Sequence, residues 1–117
     1  QVLLNLLRNA SQAFRAAEEL PTAPQIVLRL RRDGRFVRIE VEDNGPGMDE
    51  ETRKRVFEPF FTTKAVGVGT GLGLSVSYFI VTSHHGGTMS VETGPGRGAR
   101  FILHLPIEDM PLNAASA

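Results

Sequence analysis

Three groups of residues in this chain have types and spacing that could do chemistry. Asn5 and Asn9 stand one helical turn apart, so their amides share a helix flank. An amide oxygen is a hard donor of the kind Mg²⁺ accepts, and that ion needs only one or two protein groups when phosphate oxygens and water complete its shell. Asp43 ends a strand-like run and is followed by Asn44-Gly45-Pro46-Gly47. A carboxylate at a strand end can accept a hydrogen bond from an exocyclic amine, and glycines beside it let a flat ring approach the backbone. The third group is GVGTGLG, residues 67–73, running into a helical stretch from near Leu72. Unpaired N–H groups and the helix dipole would favour an anion there, phosphate above all. Each group also has a plainer reading: helix-surface asparagines, a turn made of turn formers, and a loop that needs glycine for positive φ. For Asp43 alone the turn prevails; three such sites in one order shift the balance.

Two common nucleotide motifs are excluded. A dinucleotide fingerprint starting at Gly67 or Gly69 would need its third glycine at Leu72 or Leu74, and the chain has no Gly-Lys pair for a phosphate loop of the Walker type. Thirteen basic side chains balance thirteen acidic ones, so no general electrostatic argument supports nucleic acid or an anionic membrane. The absence of cysteine removes disulfides and thiolate metal sites. No apolar run approaches the roughly 20 residues of a membrane span.

The elements that must position these groups are legible in outline. With 117 residues, 41% of them hydrophobic, the chain is sized for one domain with one core. Residues 1 to about 20 place Val2, Leu3, Leu6, Leu7, Ala10, Ala13, Phe14 and Ala17 on one arc at helical spacing, with Asn5, Asn9 and Gln12 on its flank. QIVLRLRR and RFVRIEVED alternate as two strands around an Asp33-Gly34 turn. DEETRKRVF predicts a short helix capped by Asp49. PFFTTKAVGVGTG reads as a long loop, LGLSVSYFIVTSHH as a helix closed by Gly86-Gly87, and TMSVET and ARFILHLP as strands joined by GPGRG. Helix, hairpin, short helix, loop, helix and two strands predict a mixed, mainly antiparallel sheet covered by helices on one face.

NLLRNA, DNGPGM, FEPFFTTK, GTGLGL, HGG and GRGARFILHLP together resemble the N box, first glycine box, F box, second glycine box and final strand of the ATP-binding catalytic domain of sensor histidine kinases. That family shares the two-layer Bergerat α/β sandwich with the gyrase, chaperone and mismatch-repair ATPases. The resemblance covers residues 1–106, taken as the domain, with 107–117 as a flexible tail. It implies that Asp43 binds the adenine amino group, that Gly45 and Gly47 admit the ring, and that Leu74, Ile80 and Phe101 wall it. It further implies that Asn9 holds Mg²⁺ against the phosphates of ATP with support from Asn5. PFFTTKAVGVGT would be a lid, with Gly69, Thr70, Gly71, Leu72 and Gly73 meeting the nucleotide and Lys64 a charge partner. Phe57, Phe60 and Phe61 would dock that lid on the core or on a partner helix, or else simply pack in the core.

The chain departs from the family pattern at three positions. Many members carry a basic residue where Gln12 stands, which shifts phosphate charge toward Arg8 or Lys64, and many carry a hydroxyl where Ala99 stands. The ATP-hydrolysing relatives have a glutamate base where this chain has Asn5, and an amide cannot take a proton from water, so vigorous hydrolysis is not expected. His84 and His85 fall at a helix end and His104 in a strand, so the phosphoacceptor histidine is expected upstream of Gln1 and no catalytic residue is assigned within the chain. Truncation ahead of the N box leads to an expectation of weaker stability or an exposed sheet edge, answered by dimerisation or strand exchange.

The resemblance therefore implies a cytoplasmic protein histidine kinase module, within a soluble or membrane-anchored sensor, of the nitrogen-regulation or oxygen-sensing type. It would donate the γ-phosphate of Mg-ATP to a histidine on a helical dimerisation domain of the same homodimeric protein. A response regulator receiver domain would follow, with no nucleic acid and no direct membrane contact by this domain. The alternatives are a stand-alone ATPase or serine kinase of the same superfamily and a degenerate nucleotide-binding module.

Overall fold

The computed structural model describes residues 1–16, 23–61 and 73–107. The amphipathic N-terminal stretch forms α1 (Val2–Ala16), with Leu6 and Ala10 buried and Arg8 and Arg15 turned outward. The alternating runs form β1 (Ile26–Asp33) and β2 (Phe36–Asp43). Their turn is Gly34-Arg35, one residue later than the expected Asp33-Gly34, because Gly34 at φ 61° takes the first central position of the loop and Asp33 remains paired with Phe36. Next come α2 (Glu50–Arg55), α3 (Gly73–Phe79), β3 (Thr88–Thr93) and β4 (Ala99–Pro106). The Asp49 carboxylate accepts the N–H of Thr52 at 2.8 Å, capping α2 as expected.

The second long helix deviates from the sequence expectation in one way: after Phe79 its last turn widens into a π-helix over Ile80–His84, with the N–H of His85 donating to Ile80 at 3.2 Å. Gly86 at φ 64° then turns the chain into β3. The expectation that the helix ends at Gly86-Gly87 holds; the wider turn carries no signature in residue spacing.

The four strands of the described residues run in the order β1-β2-β4-β3, all pairs antiparallel. One face carries Ile39, Val41, Ala99, Phe101, Leu103 and Met89 into a single core with Leu6 and Val81 from the helices. The other face carries a charge ladder in which Arg29, Glu42, Arg100 and Glu92 cross all four strands. Ile26, Leu28 and Leu30 of the edge strand β1 pair with Asp43, Val41 and Ile39 on the helix side, yet stand 38%, 52% and 69% exposed. Ile107, expected in the tail, donates its N–H to Arg35 at 2.7 Å. Among the described residues no helix is long and apolar enough to cross a membrane.

Candidate functional site

Asp43 is the last residue of β2 and lies directly across from Ala99 of β4. The loop that follows is fastened at both ends. The Asn44 side chain accepts the N–H of Gln25 at 2.8 Å and donates to the carbonyl of Ala23 at 2.9 Å, tying the loop to the approach of β1. Pro46 accepts the N–H of Gly96 at 2.7 Å, and the N–H of Met48 donates to the Thr93 hydroxyl, which donates in turn to Gly98 at 2.6 Å. Gly47 at φ 71° packs so tightly on the turn after β3 that a Cβ there would lie 2.1 Å from the Gly94 carbonyl oxygen. Turn chemistry thus explains Gly47, and the Gly45 N–H bonded to the Asp43 carboxylate is itself an Asx turn, but neither requires that carboxylate to be buried.

The Asp43 side chain points to the core side of the sheet and is only 7% exposed. Burial pushes its carboxyl above the ordinary carboxylate range, opposed by backbone N–H groups of Gly45 and Ala99 that favour the charged form. Gly45 donates to Oδ1 at 2.9 Å. A Cβ on Gly45 would lie 3.0 Å from that oxygen and 3.5 Å from the ring of Phe14 on α1. The missing side chain leaves the buried carboxylate and the Phe14 ring on either side of bare backbone at Gly45.

Two turns and a half back along α1, Asn5 donates from Nδ2 to the hydroxyl of Ser77 on α3 at 3.1 Å. Asn9 lies between, half-buried on the same flank. At 1.5 Å rise per residue, Asn9 and Asn5 stand roughly 7 Å and 14 Å along the helix axis from Phe14. Around the axis they lie about 140° and 180° from Phe14, on the flank rather than on the ring's own face, and their amide oxygens are of the kind Mg²⁺ accepts. Among the described residues no three His, Asp or Glu side chains could hold a metal unaided, so a divalent ion here needs ligands from its anion, as Mg²⁺ with a nucleotide has.

The remaining expected site residues divide three ways. Gly73 opens α3 and Leu74 packs partly against the core. Phe101 is a core residue, 2% exposed, on the face and strand that carry Ala99, and Ile80 is half-buried at the start of the π turn. Lys64, Gly69, Thr70, Gly71 and Leu72 lie outside the described residues. Of the F-box aromatics, Phe57 is a packing residue, stacked on Tyr78 at 4.9 Å and edge-on to Phe101 at 6.2 Å. Phe61 lies under the Arg55 guanidinium at 4.6 Å, and Phe60 is 74% exposed at φ 66°. Of the histidines, His84 sits edge-on to Phe79 and His104 lies 3.6 Å from Asp33 on the far face of the sheet. Sequence reasoning did not assign Phe14 or Ser77 to the site; a lone serine between Leu74 and Val81 on the buried stripe of α3 was the available signal for the second.

Comparison with known proteins bears on the same span. Residues 1–109 match the family described as histidine kinase-, DNA gyrase B-, and HSP90-like ATPase. Over 107 residues the chain is 46% identical to sensor histidine kinase ZraS of Klebsiella oxytoca and 46% identical to signal transduction histidine-protein kinase AtoS of Escherichia coli. Each match takes in 92% of this chain but only 21% and 16% of those relatives' lengths. Among solved structures, the nucleotide-free catalytic domain of histidine kinase ThkA superposes with a TM-score of 0.73 at 37% identity, over 91% of this chain and 64% of that one. The mycobacterial sensor histidine kinase MprB gives 0.74 at 29% identity, over 93% and 70%.

Proposed function

Because the chain belongs to the family of histidine kinase-, DNA gyrase B- and HSP90-like ATPases and has its α/β sandwich fold, we propose that it is the ATP-binding module of a two-component sensor kinase. In this proposal the module presents the γ-phosphate of Mg-ATP to a histidine on a helical dimerisation domain of the same, homodimeric protein, from which a response regulator receiver domain takes it. The observation that carries the reading is the buried Asp43 carboxylate beside the bare backbone of Gly45 and the ring of Phe14, with two amides farther along the helix that bears that ring.

Asp43 accepts the adenine amino group, a task suited to a carboxylate already held by two backbone N–H groups. Phe14 offers its ring beside the base, and Asn44 and Gly47 keep the loop from drifting. Asn9 is the residue that would hold Mg²⁺, which when bound neutralises phosphate charge, and Asn5 supports it. Lys64 and the glycine run ending at Gly73 are proposed to cover the phosphates. Phosphoryl transfer asks mainly for such positioning and charge neutralisation. The proposed setting is cytoplasmic.

Calorimetric titration with ADP and ATP, with and without Mg²⁺, tests this. Adenine-selective binding that is strengthened by Mg²⁺ is expected, with the Mg²⁺ gain lost in Asn9→Ala. A chain that binds guanine and adenine nucleotides equally, or neither, refutes the assignment.

A further inference from the structure

Leu74 and Ser77 of α3 and Val81 of the π turn after it face the core at spacings of three and four residues. Ser77 is 0% exposed, between a residue packed on the core and another that belongs to it. An alanine or valine would fill such a place without bringing a polar atom out of water, and an unpartnered buried hydroxyl is costly. The hydroxyl has a partner 72 positions away in sequence: Asn5 on α1, whose Nδ2 donates to its Oγ at 3.1 Å.

That bond does something packing alone cannot. An asparagine amide presents a donor at one end and an acceptor at the other, and only the oxygen suits a cation or a metal-bound water. With Nδ2 engaged by the Ser77 hydroxyl, here the acceptor, Oδ1 is left directed elsewhere. Ser77 also lies one turn beyond Gly73, where the glycine-rich segment enters α3. The bond therefore joins the helix that carries both asparagines to the helix that receives the proposed lid.

We infer that Ser77 is a positioning residue, acting through Asn5, that sets the orientation of the amide at the phosphate end of the nucleotide site. The inference rests on the proposed assignment of Asn5 and Asn9 to that end. It adds a role for a residue on the second helix, and a physical link by which movement at the start of α3 reaches the metal-binding flank of α1.

The test uses the whole chain with ADP as probe and compares Kd in Mg²⁺ with Kd in EDTA. In the parent, Mg²⁺ tightens binding. Ser77→Ala is expected to cut that gain by about 3- to 10-fold, the range of one side-chain hydrogen bond, with a much smaller change in EDTA. In an Asn5→Ala background, Ser77→Ala should add nothing. Ser77→Thr, which keeps the hydroxyl, should restore most of the gain. Side-chain amide NMR supplies a readout independent of nucleotide: Ser77→Ala should shift the Asn5 NH₂ pair and speed its exchange while leaving the Asn9 pair in place. A parent with a Mg²⁺ gain that Ser77→Ala leaves intact overturns the inference alone. So does a Ser77→Ala loss of equal size in EDTA, or one that persists undiminished without Asn5. A parent with no Mg²⁺ gain overturns the proposed assignment of the two asparagines and this inference with it.

Discussion

Glu42 and Asp43 are consecutive in β2, yet their carboxyls lie on opposite faces of the sheet and are pushed in opposite directions. Hydrogen bonding by the Arg29 guanidinium, joined by Arg100, holds Glu42 below its ordinary range against a modest opposing effect of burial. Asp43, on the core side, is raised chiefly by burial. Two neighbours of like charge thus sit in different settings, one in the charge ladder and one buried on the core side.

A carboxyl raised in the folded state contributes stability below its unfolded value and loses it as pH rises through the folded one. Asp43 is therefore a stability cost at neutral pH. Asp43→Asn, which keeps an acceptor for the Gly45 N–H, should unfold at a higher urea midpoint than the parent at pH 7, with the advantage shrinking as pH falls through the raised folded value and gone below the ordinary value of 3.8. The same variant should lose at least about tenfold in ADP affinity, the scale of a charge-assisted hydrogen bond. Urea melts at pH 4 and 7 beside a titration would check both halves.

For Glu42 the sign reverses: its lowered pKa contributes stability above the unfolded value of 4.5, lost as pH falls through the folded one. Glu42→Gln should cost about 0.5–1 kcal/mol at neutral pH in low salt. The cost should diminish in about 1 M salt, where the Debye length falls to about 3 Å. No salt dependence would mean that the ladder is structural decoration.

Gly34 and Gly47 both have positive φ, but a Cβ on Gly34 meets nothing within 4 Å whereas one on Gly47 meets two backbone carbonyl oxygens. Gly34→Ala should cost about 1–2 kcal/mol from backbone conformation alone. Gly47→Ala should cost clearly more and also weaken ADP binding, since the loop must leave the turn after β3. Equal costs in chemical denaturation would contradict the packing described.

Phe57→Ala removes a ring stacked on Tyr78 and edge-on to Phe101, and is expected to cost about 2–3 kcal/mol, less than a fully buried phenylalanine. Phe60→Gly removes a 74% exposed ring from a left-handed backbone, where strain relief and added chain entropy nearly cancel, so the melt should move by under about 1 kcal/mol. If both cost the same, the two aromatics do not divide as the geometry divides them.

Much of this was legible in residue order. The alternation of β2 and β4, the cap at Asp49 and the helical arc of α1 are local patterns, and local patterns survive in a one-dimensional string. Asp43 stood out by its place at a strand end before glycines, and the structure places it there. Phe14 did not, because its ring comes beside Gly45 only once α1 packs on the sheet, and Ser77 did not, because its partner is 72 positions away. The one-residue shift of the hairpin turn arose from Gly34, which can take the demanding backbone position that Asp33 would not.

The strand order has a consequence for how the protein is made. β4, the last strand of the described residues, is an inner one, flanked by β2 and β3. While the chain emerges from a ribosome, β2 and β3 have no common neighbour, and Asp43 lacks the strand that carries Ala99 and Phe101 opposite it. The pocket therefore cannot be loaded progressively during synthesis. It closes late, when residues 99–106 pair with β2 and at the same time give β3 its neighbour, and a bound nucleotide would hold that last pairing in place.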